Sequence, residues 1–411
     1  MANSFDQKRI RWSNRILRAA LISSVGILIL ITAPQSAQAQ DYTVLYNFSG
    51  FADGGNPYGG VILDGQGNSY GTTVAGGATG DGIVFKIDSA GAETVLHSFA
   101  GGSDGRSPLG SLVLDGKGHL YGTTYYGGPD DSGTVFEVNS VTGAEKVLYS
   151  FTGGSDGKWP LGIFRDPQGN LYGGTQIGGS HFAGVIYKLS PSGQQTVLYN
   201  FTGVNGDGAN PQAALISDNT GNLYGTTFSG GGTGCGSGCG TVFKLSKNGT
   251  ETVLYSFKGG SDGADPFSAL IRDASGNLYG DTYVGGDDAC PAGGCGIVYK
   301  IDSAGNETIL HRFTGGSDGG TPYLATLVRD SQGNLYGTTS LGGDLTCSPP
   351  VGCGTVFKIS PTGVETVLHR FAEIDGINPY SGVVRDSKGD LYGTTYTGGA
   401  SNQGVVFEIT H

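Results

Sequence analysis

A sugar is recognised by aromatic rings that stack on its C–H face and by polar groups that bond its hydroxyls. Residues of both kinds interrupt an otherwise repetitive sequence. Trp159 precedes Pro160, Tyr125 adjoins Tyr126, His181 adjoins Phe182, and Asp281 is followed by Tyr283, Asp287 and Asp288. Apart from Pro160, these nine residues form the candidate ligand-binding set, with core packing and solvated loops as the competing reading. A second set is basic: Arg165, Arg272, Arg329 and Arg385 each stand immediately before an Asp. Lining a channel they would form a partial cationic ring for an anion; paired with neighbouring Asp they would be structural.

Six cysteines fall in three local pairs, Cys235 with Cys239, Cys290 with Cys295, and Cys347 with Cys353. An even, locally paired count in an exported chain predicts three disulfides within loops. Zinc is the rival, disfavoured because the pairs lie on separate segments and no histidine joins them. Closing about five residues is worth only ~2 kcal/mol in the chain-entropy model. The predicted role is therefore loop stiffening, which lowers the ordering cost of binding.

No catalytic residue, metal site or cofactor is legible. His97, His311 and His369 occupy a position held elsewhere by Tyr46 or Tyr149, and His119 replaces a turn Asn. With 78 glycines in 411 residues, any three-glycine motif arises roughly three times by chance and says nothing about phosphate binding.

The elements that must position these side chains come from internal repetition. Tyr-Gly recurs at Tyr70, Tyr121, Tyr172, Tyr224, Tyr279, Tyr336 and Tyr392, with spacings of 51, 51, 52, 55, 57 and 56. Every copy carries four apolar runs rich in Val, Ile, Thr, Tyr and Phe and bounded by Gly, Asp, Ser and Pro, which are strand and turn signals. In the second copy they are Ser111-Leu112-Val113-Leu114, Leu120-Tyr121-Gly122-Thr123-Thr124, Gly133-Thr134-Val135-Phe136-Glu137-Val138 and Lys146-Val147-Leu148-Tyr149-Ser150-Phe151. Four short strands joined by tight turns make an antiparallel meander, and seven such units predict an all-β, seven-bladed β-propeller of four-stranded antiparallel blades. The chain after its leader opens with a fourth-type run at 43–48 and closes with a third-type run at 404–409. Seven runs of each type result only if the N-terminal strand completes the C-terminal blade, so a closed ring is expected.

Two repeated features have geometric readings. The Gly after each Tyr, such as Gly225 and Gly337, lets an aromatic pack close. Asp-Gly-x-x-Pro recurs seven times, as at Asp104-Gly105 with Pro108 and Asp262-Gly263 with Pro266; Asp starts a turn, Gly takes positive φ and Pro directs the chain into the next strand. Calcium is the alternative use of the acid, but the odd-position acidic pattern of a calcium loop is missing. The Asp-Gly-x-x-Pro turns are expected to share one face with the variable loops that follow Gly-Gly, and that face is where function is expected.

Residues 1–39 differ from the rest. Lys8, Arg9, Arg11, Arg15 and Arg18 precede an uncharged apolar stretch at 19–33, and Ala37-Gln38-Ala39 is a small-x-small cleavage pattern, so a signal peptide cleaved before Gln40 is expected. Fifteen residues span about 22 Å as a helix, short of a ~30 Å hydrocarbon core. Without those five bases and Asp6, the remaining 18 bases and 34 acids give a formal net charge of −16, which repels nucleic acid and anionic membranes.

The run Asp330, Gly333-Asn334-Leu335-Tyr336-Gly337-Thr338-Thr339, Gly342-Gly343, Gly354-Thr355-Val356-Phe357-Lys358-Ile359 and Val367-Leu368-His369-Arg370-Phe371 resembles the choice-of-anchor tandem repeat named GloVer, and the likeness covers residues 41–411. It implies an exported repeat protein with no assigned activity. Such proteins often carry a C-terminal surface anchor; here the last strand runs to His411 and none is expected. The sequence thus predicts a single domain at 40–411, monomeric and periplasmic or extracellular, without a membrane span after cleavage. It is expected to bind a glycan or a protein through its loop face. An enzyme acting on polysaccharides or lactones at the channel mouth is the alternative, and a structural envelope protein the third.

Overall fold

The computed structural model describes residues 40–410 apart from 233 and 287–293. The predicted leader, Asp287, Asp288 and Cys290 therefore lie outside the described residues. Seven four-stranded antiparallel sheets form the blades of a β-propeller. In every blade but the third the strands run outward from a short first strand to a long fourth strand, as in blade 2 from Val113–Leu114 through His119–Thr124 and Thr134–Asn139 to Glu145–Ser150. The ring closes as the repeat count requires. Asp41–Asn47 is the outer strand of blade 7, paired antiparallel with Val405–Thr410. Among the described residues, no helix is long and apolar enough to cross a membrane.

The repeated residues build each blade in the same way. A Cβ placed on Gly71, Gly337 or Gly393 would meet the ring of Phe85, Phe357 or Phe407 at 2.5 or 2.6 Å, so the Gly of Tyr-Gly is the space an aromatic of the third strand occupies. The Asp that opens the tight turn after the first strand accepts several bonds at once. In blade 6, Asp330 takes the Asn334 backbone N–H at 2.8 Å, the Asn334 amide at 2.7 Å and the Tyr336 hydroxyl at 3.0 Å. Burial opposes ionisation there, but these hydrogen bonds hold the Asp330 carboxyl below its ordinary value. The Thr after Tyr-Gly links neighbouring blades: Thr338 donates to the Ser381 carbonyl at 2.7 Å and Thr394 to that of Gly59 at 3.1 Å.

The Asp of each Asp-Gly-x-x-Pro turn is tied to the outer strand before it. Tyr46 donates to Asp53 at 3.0 Å, Tyr149 to Asp156 at 2.9 Å, and His97 and His369 stand 3.2 and 3.0 Å from Asp104 and Asp375. The histidines thus reach the same acid as the tyrosines they replace. Next to these acids lie Glu93, Glu145, Glu251 and Glu307 on the following blade; burial first, then the neighbouring Asp charge, pushes each up to about 7. His97, Asp104 and Glu145 bring potential ligand atoms within 4.8 Å of one another, yet this is one instance of a junction repeated around the ring.

Two blades depart from the pattern. In blade 3 the first strand is not short: Lys158–Arg165 is continuous through Pro160, because one residue fewer separates the Pro from the Arg than in blades 5 and 7. Blade 6 has one more residue in that interval, and Leu324 takes a left-handed conformation with φ 46°.

Candidate functional site

The Asp-Gly-x-x-Pro turns pair with the chain just beyond the second strand, as at Gly55 with Ala75, Arg106 with Tyr126 and Ile377 with Thr397. The turns and the Gly-Gly loops therefore share one face. In all seven turns the residue before Pro is left-handed: Asn56, Ser107, Trp159, Asn210, Asp265, Thr321 and Asn378 have φ between 53° and 62°. The positive φ predicted for the Gly of the turn is met in six turns and not at Gly208, whereas this residue carries it in all seven. Asn and Asp tolerate it; for Trp159, with φ 62°, it is strained.

The residues after these prolines line the axial channel or the cavity at its mouth and include Tyr58, Phe267, Tyr323 and Tyr380. With Phe228, Tyr283 and Tyr396, from the ends of second strands, they form a continuous aromatic arc. Ring centroids lie 4.5 Å apart for Phe228–Phe267, 4.8 Å for Phe267–Tyr323, 5.3 Å for Tyr283–Tyr323, 5.1 Å for Tyr323–Tyr380 and 4.9 Å for Tyr380–Tyr396. The hydroxyls of Tyr58 and Tyr323 meet at 2.7 Å, joining blades 1 and 6 across blade 7. A cavity of about 330 Å³ opens among Tyr58, Tyr283, Tyr323, Tyr380 and Tyr396, with Ser340 and Asn378 as polar lining. Burial raises the Tyr58, Tyr283 and Tyr380 phenols above their ordinary value, so they remain hydroxyl donors at neutral pH.

Trp159, Tyr125 and Tyr126 are brought together. Trp159 stacks on Tyr125 at 5.3 Å and 15°, Tyr126 meets Trp159 edge-on at 6.1 Å, and the Arg106 guanidinium lies 4.4 Å from the Tyr126 ring centre. The Tyr125 hydroxyl donates to the Gln176 side-chain carbonyl. Its phenol is pushed up to about 12 by burial, then by Tyr126 and Tyr323; the last of these belongs to the aromatic arc. Tyr283 sits in that arc, against Tyr323, and lines the cavity.

Asp281 does not join it. This side chain is 1 % exposed, accepts the Ser268 hydroxyl at 2.6 Å and leaves Oδ2 without a partner. It occupies the inter-blade Thr position, where burial pushes it up to about 7, and neither mouth nor channel is lined by it. The acid near the mouth is Asp265, equivalent to Asn378, raised to about 6 by burial and close enough to affect Tyr283. His181 and Phe182 lie at the rim: Phe182 is 74 % exposed, and the adjoining Ala183 carbonyl accepts the Asn210 N–H at 2.8 Å, one blade away from Trp159.

Two predicted disulfides are formed, Cys235–Cys239 and Cys347–Cys353, with Cα atoms 5.2 and 5.6 Å apart, and Cys295 is also disulfide-bonded. The second cysteine of each pair occupies the position whose backbone carbonyl holds the next blade's turn, as Gln403, Asp81, Ser132 and Ala183 do in the other blades. The carbonyls of Cys239, Cys295 and Cys353 accept the backbone N–H of Asp265, Thr321 and Asn378 at 2.9, 2.6 and 3.0 Å. Those residues lead directly into Phe267, Tyr323 and Tyr380. The four arginines sit at the opposite end of the first strand, each over a tyrosine of the preceding blade. The guanidinium-to-centroid distances are 5.3 Å for Arg165–Tyr121, 5.7 Å for Arg272–Tyr224, 5.6 Å for Arg329–Tyr279 and 6.0 Å for Arg385–Tyr336. Arg165 also approaches Asp115 at 3.7 Å. These are inter-blade contacts.

A family model described as the Gloeobacter/Verrucomicrobia repeat matches residues 31–238 and 232–411. The chain belongs to this family. No curated protein is significantly similar to this repeat protein. Its fold is similar to that of virginiamycin B lyase from Staphylococcus aureus, at TM-score 0.58 and 14 % identity, covering 90 % of this chain and 99 % of the lyase. It also resembles the extracellular domain of a one-component system from B. thetaiotaomicron, at TM-score 0.55 and 11 % identity over 90 % of this chain and 40 % of that one. PorZ, a surface component of the type-IX secretion system of Porphyromonas gingivalis, matches at TM-score 0.52 and 14 % identity over 85 % of this chain and 46 % of its own. At these identities the repeat protein shares their architecture, and its site must be read from its own residues.

Proposed function

We propose that the protein is an exported, non-catalytic propeller that binds a glycan at the aromatic mouth of its loop face. The carrying observation is the cavity of about 330 Å³ walled by five tyrosines with Ser340 and Asn378 among them. Rings at differing tilts offer stacking faces, and hydroxyl and amide groups offer bonds to sugar hydroxyls. Disulfides in consecutive blades brace the turns that carry Phe267, Tyr323 and Tyr380, which favours a preformed site. They also suit an oxidising compartment outside the cytoplasm.

The test is a glycan array with the purified chain, followed by calorimetry on the best ligand. Tyr323→Ala is expected to weaken binding about tenfold or more, the usual cost of truncating an anchoring aromatic, and Trp159→Ala to weaken it less. Affinity should also fall as pH drops through about 6, where Asp265 gains a proton and loses acceptor strength. An array without hits, or a Tyr323→Ala variant with unchanged affinity and intact fold, rejects the reading.

A further inference from the structure

Below the tyrosine mouth the propeller axis is occupied by a channel of about 520 Å³ whose wall is mostly aliphatic, with Ile62, Leu112, Leu161, Leu215, Leu270 and Val383 drawn from six blades. Arg385 is the charged residue on that lining. Water in such a tube finds few partners, whereas an alkyl chain exchanges bulk hydration for contact with hydrocarbon. The wall is also tight. A Cβ on Gly110 would come within 2.0 Å of the Leu161 carbonyl oxygen, one on Gly382 within 2.0 Å of that of Thr326, and one on Gly162 within 2.4 Å of the Ala214 nitrogen. Neighbouring blades therefore abut backbone to backbone, and the tube is preformed.

Tyr58 lines both this channel and the polar aromatic cavity. Its hydroxyl contact with Tyr323 at 2.7 Å stands at the threshold between them. A site made of a sugar-sized polar chamber continuous with an aliphatic tube matches an amphiphile. We infer that the ligand is a glycan joined to an alkyl or acyl chain, with the sugar among the tyrosines and the chain along the propeller axis. This rests on the glycan reading of the mouth and adds the chemistry of the aglycone.

Alkyl maltosides from hexyl to dodecyl, each titrated calorimetrically below its critical micelle concentration, test the inference on the unaltered protein. Each added methylene, at about 0.8 kcal/mol, is expected to tighten binding about fourfold until the tube is filled, after which affinity levels off. Ala269→Phe, which narrows the channel wall, should abolish the gain with chain length; a thermal melt verifies that it folds. Affinity independent of chain length, or rising without a plateau as for adsorption to a surface, overturns the inference and leaves the glycan reading standing. Alkyl phosphocholines that match the maltosides at every length overturn the glycan reading and leave the channel assignment standing. Binding confined to dodecanoate and lost in Arg385→Gln overturns the proposed orientation, since the polar end would then lie away from the tyrosines.

Discussion

Asp281 is an acid placed where the repeat has a threonine. At the equivalent position Thr226 and Thr338 donate to the next blade's carbonyls; an ionised carboxylate has no proton to donate, and Oδ2 is buried without a partner. Burial raises Asp281 to about 7 from an ordinary 3.8. The folded state therefore holds a proton that the unfolded state releases, and stability falls as pH rises between about 4 and 7. Asp281→Thr should stabilise the protein by roughly 1–3 kcal/mol, the cost of an unsatisfied buried polar group, and the gain in melting temperature should grow from pH 5 to pH 8. A gain that is constant with pH would show that the carboxyl is not the destabilising group. The sequence displayed Asp281 as a break in a repeat but not that it faces inward, because strand alternation and blade packing decide that together. The same limit hid Tyr58, Tyr323 and Tyr380: each is one step past a repeated Pro, and only superposing the turns reveals that these tyrosines converge.

At the scale of strands and turns, the repeat motif was read with its physical meaning. Gly beneath an aromatic follows from local chemistry and is found at the expected residues; the Asp of Asp-Gly-x-x-Pro, expected to start a turn, instead closes the one before it, as Asp104 and Asp262 accept the backbone N–H of Ala100 and Lys258 four residues earlier. The left-handed residue before Pro escaped notice, since Asp-Gly already explained the turn. Two predictions belong here. Glu93, Glu145, Glu251 and Glu307 are raised to about 7 from 4.5, so the folded protein again binds more protons between those values and loses stability as pH rises through them. Each group is half-exposed and screened, making each contribution modest. Glu145→Gln should raise the melting temperature at pH 8 and leave it unchanged near pH 4.5, as thermal scans across that range would reveal. Separately, Cys353→Ser should weaken ligand binding severalfold with little change in global stability, since the closed loop is short while the Cys347–Cys353 bond holds the loop whose backbone carbonyl, kept in the variant, positions Asn378. Calorimetry beside a melting curve separates the two effects.

The described residues form a ring closed by Asp41–Asn47 against Val405–Thr410, Asp41 pairing with Thr410 and Asn47 with Val405 across a register shift between Val44 and Tyr46. That closure was legible because strands could be counted, whereas the channel's lining depended on how seven inner strands face one another. Removing residues 41–47 should leave Val405–Thr410 as an unpaired edge and lower the melting temperature by several degrees, with dimers or larger aggregates visible by light scattering. A monomeric variant with native stability would mean that the seal contributes little. During synthesis the order of events is set by this pairing. Asp41–Asn47 must wait for Val405–Thr410, made more than 350 residues later, so a nascent chain carries a sticky, half-satisfied ribbon until that partner emerges, and any helper that escorts it has most to gain by shielding that ribbon.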